Sequence, residues 1–233
     1  MVEQNNYFIK DGYKCNLTGE NSNVQTYTEP PKDNTYQISV YKYIGKIARK
    51  IKATNVLELG FGTGHKIVNY VMPYCKNVYG LDFPHSVEYA KKNLPHGNWH
   101  EGDFNVSIPI PDVSFDIIFS LDVIEHLVYP EKFLRSIHER ASIDTIVILS
   151  TPERDLVRGF DSYGPPGNLK HVREWNKNEF RAFIESEGFK ILEHKFMRDR
   201  EKHIREKIHN WRKRINDKTC QVVVCRKVKQ HIS

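Results

Sequence analysis

An apolar run, Val56-Leu57-Glu58-Leu59, feeds directly into Gly60-Phe61-Gly62-Thr63-Gly64-His65. A short apolar run bounded by glycine reads as a covered strand. The alternating glycines let the chain turn sharply and let its backbone approach a ligand closely. A helix opening just behind them presents free N–H groups to a polar ligand. Eighteen residues after Gly64, a second strand pattern, Val78-Tyr79-Gly80-Leu81, ends in Asp82. A carboxylate in that place accepts both hydroxyls of a ribose. Together these residues describe a site for an adenosine-type cofactor at the C-terminal ends of neighbouring strands. The spacing is Gly-x-Gly-x-Gly, and His65 stands where a dinucleotide fingerprint has its last glycine. Glu58 is also foreign to that fingerprint, so a nicotinamide-dependent oxidoreductase is disfavoured.

Two further motifs follow in order. Glu101-Gly102-Asp103-Phe104 comes after a short third strand, and Phe115-Asp116-Ile117-Ile118-Phe119-Ser120-Leu121-Asp122-Val123-Ile124-Glu125-His126-Leu127 spans a fourth. The ordered series resembles class I S-adenosylmethionine-dependent methyltransferases, in the broad small-molecule and glycan-modifying group. The resemblance covers roughly residues 55–189. It implies S-adenosyl-L-methionine as cofactor. It also implies that Gly60, Gly62 and Gly64 cradle the methionine part, with Glu58 beneath the loop. Asp82 would hold the ribose, Phe83 the adenine face and Asp103, beside Phe104, the adenine amino group. Ser120 and Leu121 would lend backbone contacts, or would simply end the strand.

Methyl transfer from a sulfonium is an in-line displacement, so the acceptor atom must be held about 3 Å from the methyl group. A hydroxyl acceptor also benefits from a general base, whereas an amine need only be neutral. His126 lies just past the fourth strand, with Asp122 and Glu125 as alternatives. His171 lies in a long loop after the fifth strand, which also carries Arg154, Tyr163, Arg173 and Trp175. Loops of that length are uncommon without a role. Arg154 and Arg173 suit a phosphate or carboxylate, and a solvated or salt-bridged role equally well. Tyr163, Tyr36 and Tyr41 are candidate acceptor contacts, with core packing the stronger expectation for Tyr36 and Tyr41. No metal site is expected: Cys15, Cys75, Cys220 and Cys225 are scattered and lack zinc-type pairing.

These residues need a frame. Alternating patterns predict strands at 55–59, 77–81, 98–100, 115–120 and 145–150, and helices at 37–52, 66–74, 84–93, 131–140 and 176–187. Two more strands, at 189–196 and 219–226, break the alternation. The expected fold is α/β: a doubly wound, seven-stranded, mostly parallel Rossmann-like sheet with an antiparallel last strand. Residues 1–36 read as a polar arm or lid, and 37–233 as one methyltransferase domain. A basic helical insertion is expected at about 198–215, between the last two strands. Its Ile204, Ile208, Trp211 and Ile215 form one apolar stripe, which must pack on its own domain or on a second copy in a homodimer.

The 233 residues suffice for one such domain, and 27% charged residues oppose a membrane-built protein. No apolar run is long enough to span a bilayer, and the polar start lacks a signal core, so a cytoplasmic location is expected. The net charge of +6 is uneven. Residues 190–233 carry 14 basic against 5 acidic side chains, while residues 1–189 carry 21 against 24. The body is thus mildly acidic, and nucleic acid is an unlikely partner. The leading expectation is O-methylation of a small polar metabolite, sugar-linked, phosphorylated or carboxylated, with a histidine base. An RNA or protein methyltransferase using the basic C-terminal part is the alternative. A non-catalytic scaffold is disfavoured by the intact glycines.

Overall fold

The computed structural model describes residues 7–17, 36–106, 108–199 and 218–228. Seven strands form one sheet in the order β3-β2-β1-β4-β5-β7-β6. They are β1 Asn55–Leu59, β2 Asn77–Asp82, β3 Asn98–Glu101, β4 Ile117–Leu121, β5 Ile146–Pro152, β6 Phe189–Met197 and β7 Cys220–Lys227. β1 to β5 are mutually parallel, and β7 runs antiparallel to both β5 and β6. The expected sheet and its antiparallel last strand are therefore present. The sequence order reverses between β1 and β4, which opens a crevice beyond their C-terminal ends.

Six α-helices accompany the sheet among the described residues: α1 Ile38–Ile51, α2 His65–Tyr70, α3 Pro84–Asn93, α4 Pro130–Arg140, α5 Arg154–Arg158 and α6 Lys177–Ser186. Successive strand residues point to opposite faces. Leu57, Leu59 and Ile118 join one buried cluster, while Val56, Ile117 and Phe119 join the other. Both faces are covered, which is why these strands read as continuous apolar runs rather than alternating ones. α1 buries Val40, Tyr41, Ile44 and Ala48. Gly45 brings it against α2, since a Cβ there would lie 2.2 Å from the Tyr70 carbonyl oxygen.

Two features differ from the sequence reading. The helix expected over 66–74 breaks at Val71, and Met72–Tyr74 continues as one 3-10 turn. Pro73 supplies no N–H to prolong an α-helix there. The segment after β5 also forms α5, whose N-cap Glu153 accepts the Leu156 N–H at 2.6 Å. The described part of the N-terminal arm is built into the domain. Tyr7 and Ile9 belong to a core cluster, and Lys14 N–H donates to the Tyr163 carbonyl at 2.8 Å. Asn16 N–H donates to the Val172 carbonyl at 2.8 Å, and its amide to the Leu169 carbonyl at 2.8 Å. The basic insertion expected at 198–215 falls almost wholly outside the described residues.

Candidate functional site

The glycine loop links β1 to α2. Gly60, Gly62 and Gly64 have φ of 85°, 60° and 75°, backbone that side-chain-bearing residues rarely adopt. A Cβ at Gly60 would lie 2.4 Å from Val123 Cγ2, so the turn after β4 rests directly on this loop. At Gly62 nothing lies within 4 Å, which leaves its surface open to a ligand. The Asp82 carboxylate, at the end of β2, accepts the Gly62 N–H at 2.7 Å and the Phe83 N–H at 2.7 Å. Burial pushes its pKa up to about 6, against those two hydrogen bonds. Asp82 thus shapes the loop from beneath and still lies beside the crevice.

Glu58 is fully buried below the loop. Tyr41 donates its hydroxyl proton to Glu58 Oε1, while Glu58 Oε2 has no partner. Burial pushes Glu58 up to about 8. Tyr41 is therefore a support for Glu58 rather than an exposed acceptor contact. Ser120 Oγ donates to the Leu59 carbonyl at 2.8 Å and ties β4 to the entry of the glycine loop. Leu121 is buried, and Phe104 packs 5.3 Å from Phe133 with its ring edge near Gly60. Asp103 accepts the Asn105 N–H at 2.9 Å, and half-buried Phe83 leads into α3. The open Gly62 cradle, with the unpartnered Glu58 oxygen buried beneath it, fits a small polar cofactor.

The opposite wall is made by the turn after β4 and the loop after α5. Asp122 takes a left-handed φ of 52°, and its Oδ1 accepts from Ser150 Oγ at 3.0 Å. A 3-10 turn, Ile124–His126, follows. Glu125 is fully buried; Thr151 Oγ1 donates to its Oε2 at 3.0 Å, and its Oε1 has no partner. Its backbone carbonyl accepts the Val172 and Arg173 N–H groups at 2.7 and 3.3 Å. That pairing draws His171 against His126, whose ring centroids lie 4.7 Å apart at 85°. His126 Nδ1 bonds the Lys170 carbonyl at 2.8 Å and His171 Nδ1 bonds Glu174 Oε1 at 2.7 Å. A carbonyl only accepts, so the His126 hydrogen sits on Nδ1 and the lone pair on Nε2.

Burial, then the neighbouring His171, lowers His126 to about 4, so that ring is neutral. Burial raises Glu174, but the His171 hydrogen bond and Arg158 outweigh it and leave the carboxyl below its usual value. Asp122, His171, Glu174, Arg158 and Asn168 all line a cavity of about 520 Å³. The spacing of Glu174, three residues after His171, is the one signal by which this partnership was available in the sequence.

Four expected acceptor contacts do not line this cavity. Arg154 is fully buried; its guanidinium pairs with both Glu179 oxygens at 2.6 and 2.9 Å and with Asp155 at 3.0 Å. Arg173 is also buried, donating to the Leu127 and Val128 carbonyls at 2.8 and 3.2 Å over the ring of Tyr7. Both arginines are thus bonded inside the protein rather than solvated, Arg154 in a salt bridge and Arg173 to backbone carbonyls. Tyr36 is exposed, and its carbonyl accepts from Lys66 at 3.3 Å. Tyr163 is exposed on the loop, with Lys10 Nζ 4.1 Å above its ring.

The sheet order, the glycine loop and the acidic strand ends have the layout of the class I S-adenosylmethionine-dependent methyltransferase fold. Residues 57–148 match the methyltransferase domain family. A Mycolicibacterium smegmatis protein named "Probable S-adenosylmethionine-dependent methyltransferase" is 28% identical over 153 residues, which cover 63% of this chain and 56% of that protein. Ajmaline N-methyltransferase of Rauvolfia serpentina is 33% identical over 121 residues, covering 49% and 42%. The chain spans about half the length of the curated relatives it matches. The fold is similar to that of the N-methyltransferase NodS of Bradyrhizobium japonicum, solved with S-adenosyl-L-homocysteine. That match has a TM-score of 0.59 at 12% identity and covers 87% of this chain and 95% of the other. No helix among the described residues is long and apolar enough to cross a membrane.

Proposed function

We propose that the chain methylates a hydroxyl of a small polar acceptor, sugar-linked, phosphorylated or carboxylated, with S-adenosyl-L-methionine as donor. The bound sulfonium supplies an activated methyl group. Gly60, Gly62 and Gly64 would cradle its methionine part, with Glu58 beneath the loop. Asp82 takes the ribose hydroxyls, with Phe83 and Asp103 toward the adenine. We read residues 37–233 as the transferase domain and 1–36 as its arm, whose described residues Lys14 and Asn16 bond the loop that carries His171.

The observation that carries the hydroxyl reading is the Glu174–His171 pair beside His126 on the wall of the 520 Å³ cavity. A carboxylate on Nδ1 fixes the ring and directs the Nε2 lone pair outward, the arrangement a general base needs. An amine acceptor would need no such pair. The test measures methyl transfer from labelled donor to matched hydroxyl and amine acceptors. His171→Ala and His126→Ala are expected to lower kcat on hydroxyls by about 100-fold or more, with calorimetric binding of S-adenosylhomocysteine unchanged. Full activity in both variants, or methylation of amines alone, refutes the reading.

A further inference from the structure

We propose that Glu125, His126 and His171 form a binding site for one divalent first-row transition ion, of the zinc, cobalt or manganese kind. Each of the three offers a ligand atom, and these atoms lie within 4.8 Å of one another. Metal bonds of about 2.1 Å bring such a set onto one ion after small side-chain rotations.

The bonding pattern around the cluster points to a ligand. Glu125 is fully buried and its Oε1 has no hydrogen-bond partner. A buried carboxylate oxygen left bare is costly unless something positive or protic meets it. In each imidazole, Nδ1 is occupied, by the Lys170 carbonyl in His126 and by Glu174 in His171, which leaves both Nε2 lone pairs for coordination. Thr151 holds the second oxygen of Glu125. Every ligand therefore has an outer partner that fixes its orientation, as metal-binding histidines and carboxylates regularly do. Two nitrogens and one carboxylate oxygen favour a borderline ion over magnesium or calcium.

Three protein ligands leave a coordination position open, the pattern of a catalytic rather than a structural site. Of the three ligands His171 lines the cavity, so an acceptor oxygen would approach the ion from its side. The inference rests on the hydroxyl reading above. With the ion bound, both Nε2 lone pairs are spent on it, so the ion rather than a free imidazole meets the acceptor, and the histidines act as ligands in place of the base proposed above. The sequence alone does not gather this set, because His171 is brought to Glu125 and His126 only by the Val172 and Arg173 N–H bonds to the Glu125 carbonyl.

The test starts from whole protein stripped with EDTA. It is titrated with Zn²⁺, Mn²⁺ and Mg²⁺ by calorimetry and with Co²⁺ by visible absorption. One Zn²⁺ or Co²⁺ per chain is expected, with ligand-field bands for Co²⁺, raised thermal stability and Mg²⁺ binding at least about tenfold weaker. Glu125→Gln, His126→Ala and His171→Ala should each weaken binding by about 100-fold, and Glu174→Gln, which only orients His171, by about tenfold. Circular dichroism checks that each variant is folded. The unaltered protein binding no ion, or folded variants binding as well as it does, overturns the proposal. Hydroxyl methylation that proceeds in protein binding no ion overturns this inference alone. Ion binding accompanied by methylation of amines alone overturns the hydroxyl reading alone.

Discussion

Arg154→Met tests the role the structure gives to a side chain that the sequence offered to an anionic acceptor. Arg154 is fully buried and holds both oxygens of Glu179 at 2.6 and 2.9 Å. Glu179 also accepts the Lys10 and Asn176 N–H groups at 3.0 and 2.8 Å, so it joins the N-terminal arm to the capped start of α6. Removing the guanidinium leaves a nearly buried carboxylate with only two backbone donors. Breaking a buried pair from one side costs about 3–5 kcal/mol. For a domain of this size that corresponds to a fall in Tm of about 6–20 °C. Replacing both partners, Arg154→Met with Glu179→Leu, removes the orphaned charge and should recover much of the loss. The assay is urea and thermal unfolding of the two single variants and the double, with KM for the acceptor measured beside them. A Tm change below 2 °C for Arg154→Met, together with a raised KM, would refute the structural role.

Substitutions at the glycine loop and at Glu58 beneath it probe this side of the crevice. Gly60→Ala meets both a left-handed backbone, about 1–2 kcal/mol, and Val123 Cγ2 at 2.4 Å, an overlap of about 1–3 kcal/mol. Gly62→Ala meets only the first. Urea unfolding should rank Gly60→Ala as clearly the more damaging, and equal losses would contradict the close approach of Val123. Glu58 has a folded pKa of about 8, above its ordinary value of 4.5. Its contribution to stability is full below pH 4.5 and is lost as pH rises toward 8, because the unfolded chain ionises first. Glu58→Gln removes that dependence, so its stability relative to the parent should rise between pH 5 and pH 8 in urea titrations. A constant difference would show that Glu58 is already ionised in the fold.

Local chemistry made much of the frame readable. The strand Asn55–Leu59 and the helix Pro84–Asn93 have the ends that glycine and proline dictated. The glycine loop was legible because its glycines carry the conformation themselves. The acceptor side was less so, since its relations are long-range. Arg154 finds Glu179 25 residues on, and Arg173 finds carbonyls about 45 residues back. A long polar loop reads as exposed, yet Arg154, Arg173 and Trp175 are buried in it. Glu125 and His126 stood out by type, but their union with His171 depends on a backbone pairing between distant segments. The short helix α5 was missed because five residues carry too little periodicity to register.

The bonds from Lys14 and Asn16 to Tyr163, Leu169 and Val172 make the arm and the rim of the cavity a matched pair. A graft that changes only the rim leaves the arm's donors facing the wrong carbonyls, and one that changes only the arm strips the rim of its splint. Redirecting this protein to a different acceptor therefore calls for transplanting both segments as one cassette. The turn from Val123 to His126, wedged against Gly60 on one side and bonded to the His171 loop on the other, is the part to leave untouched.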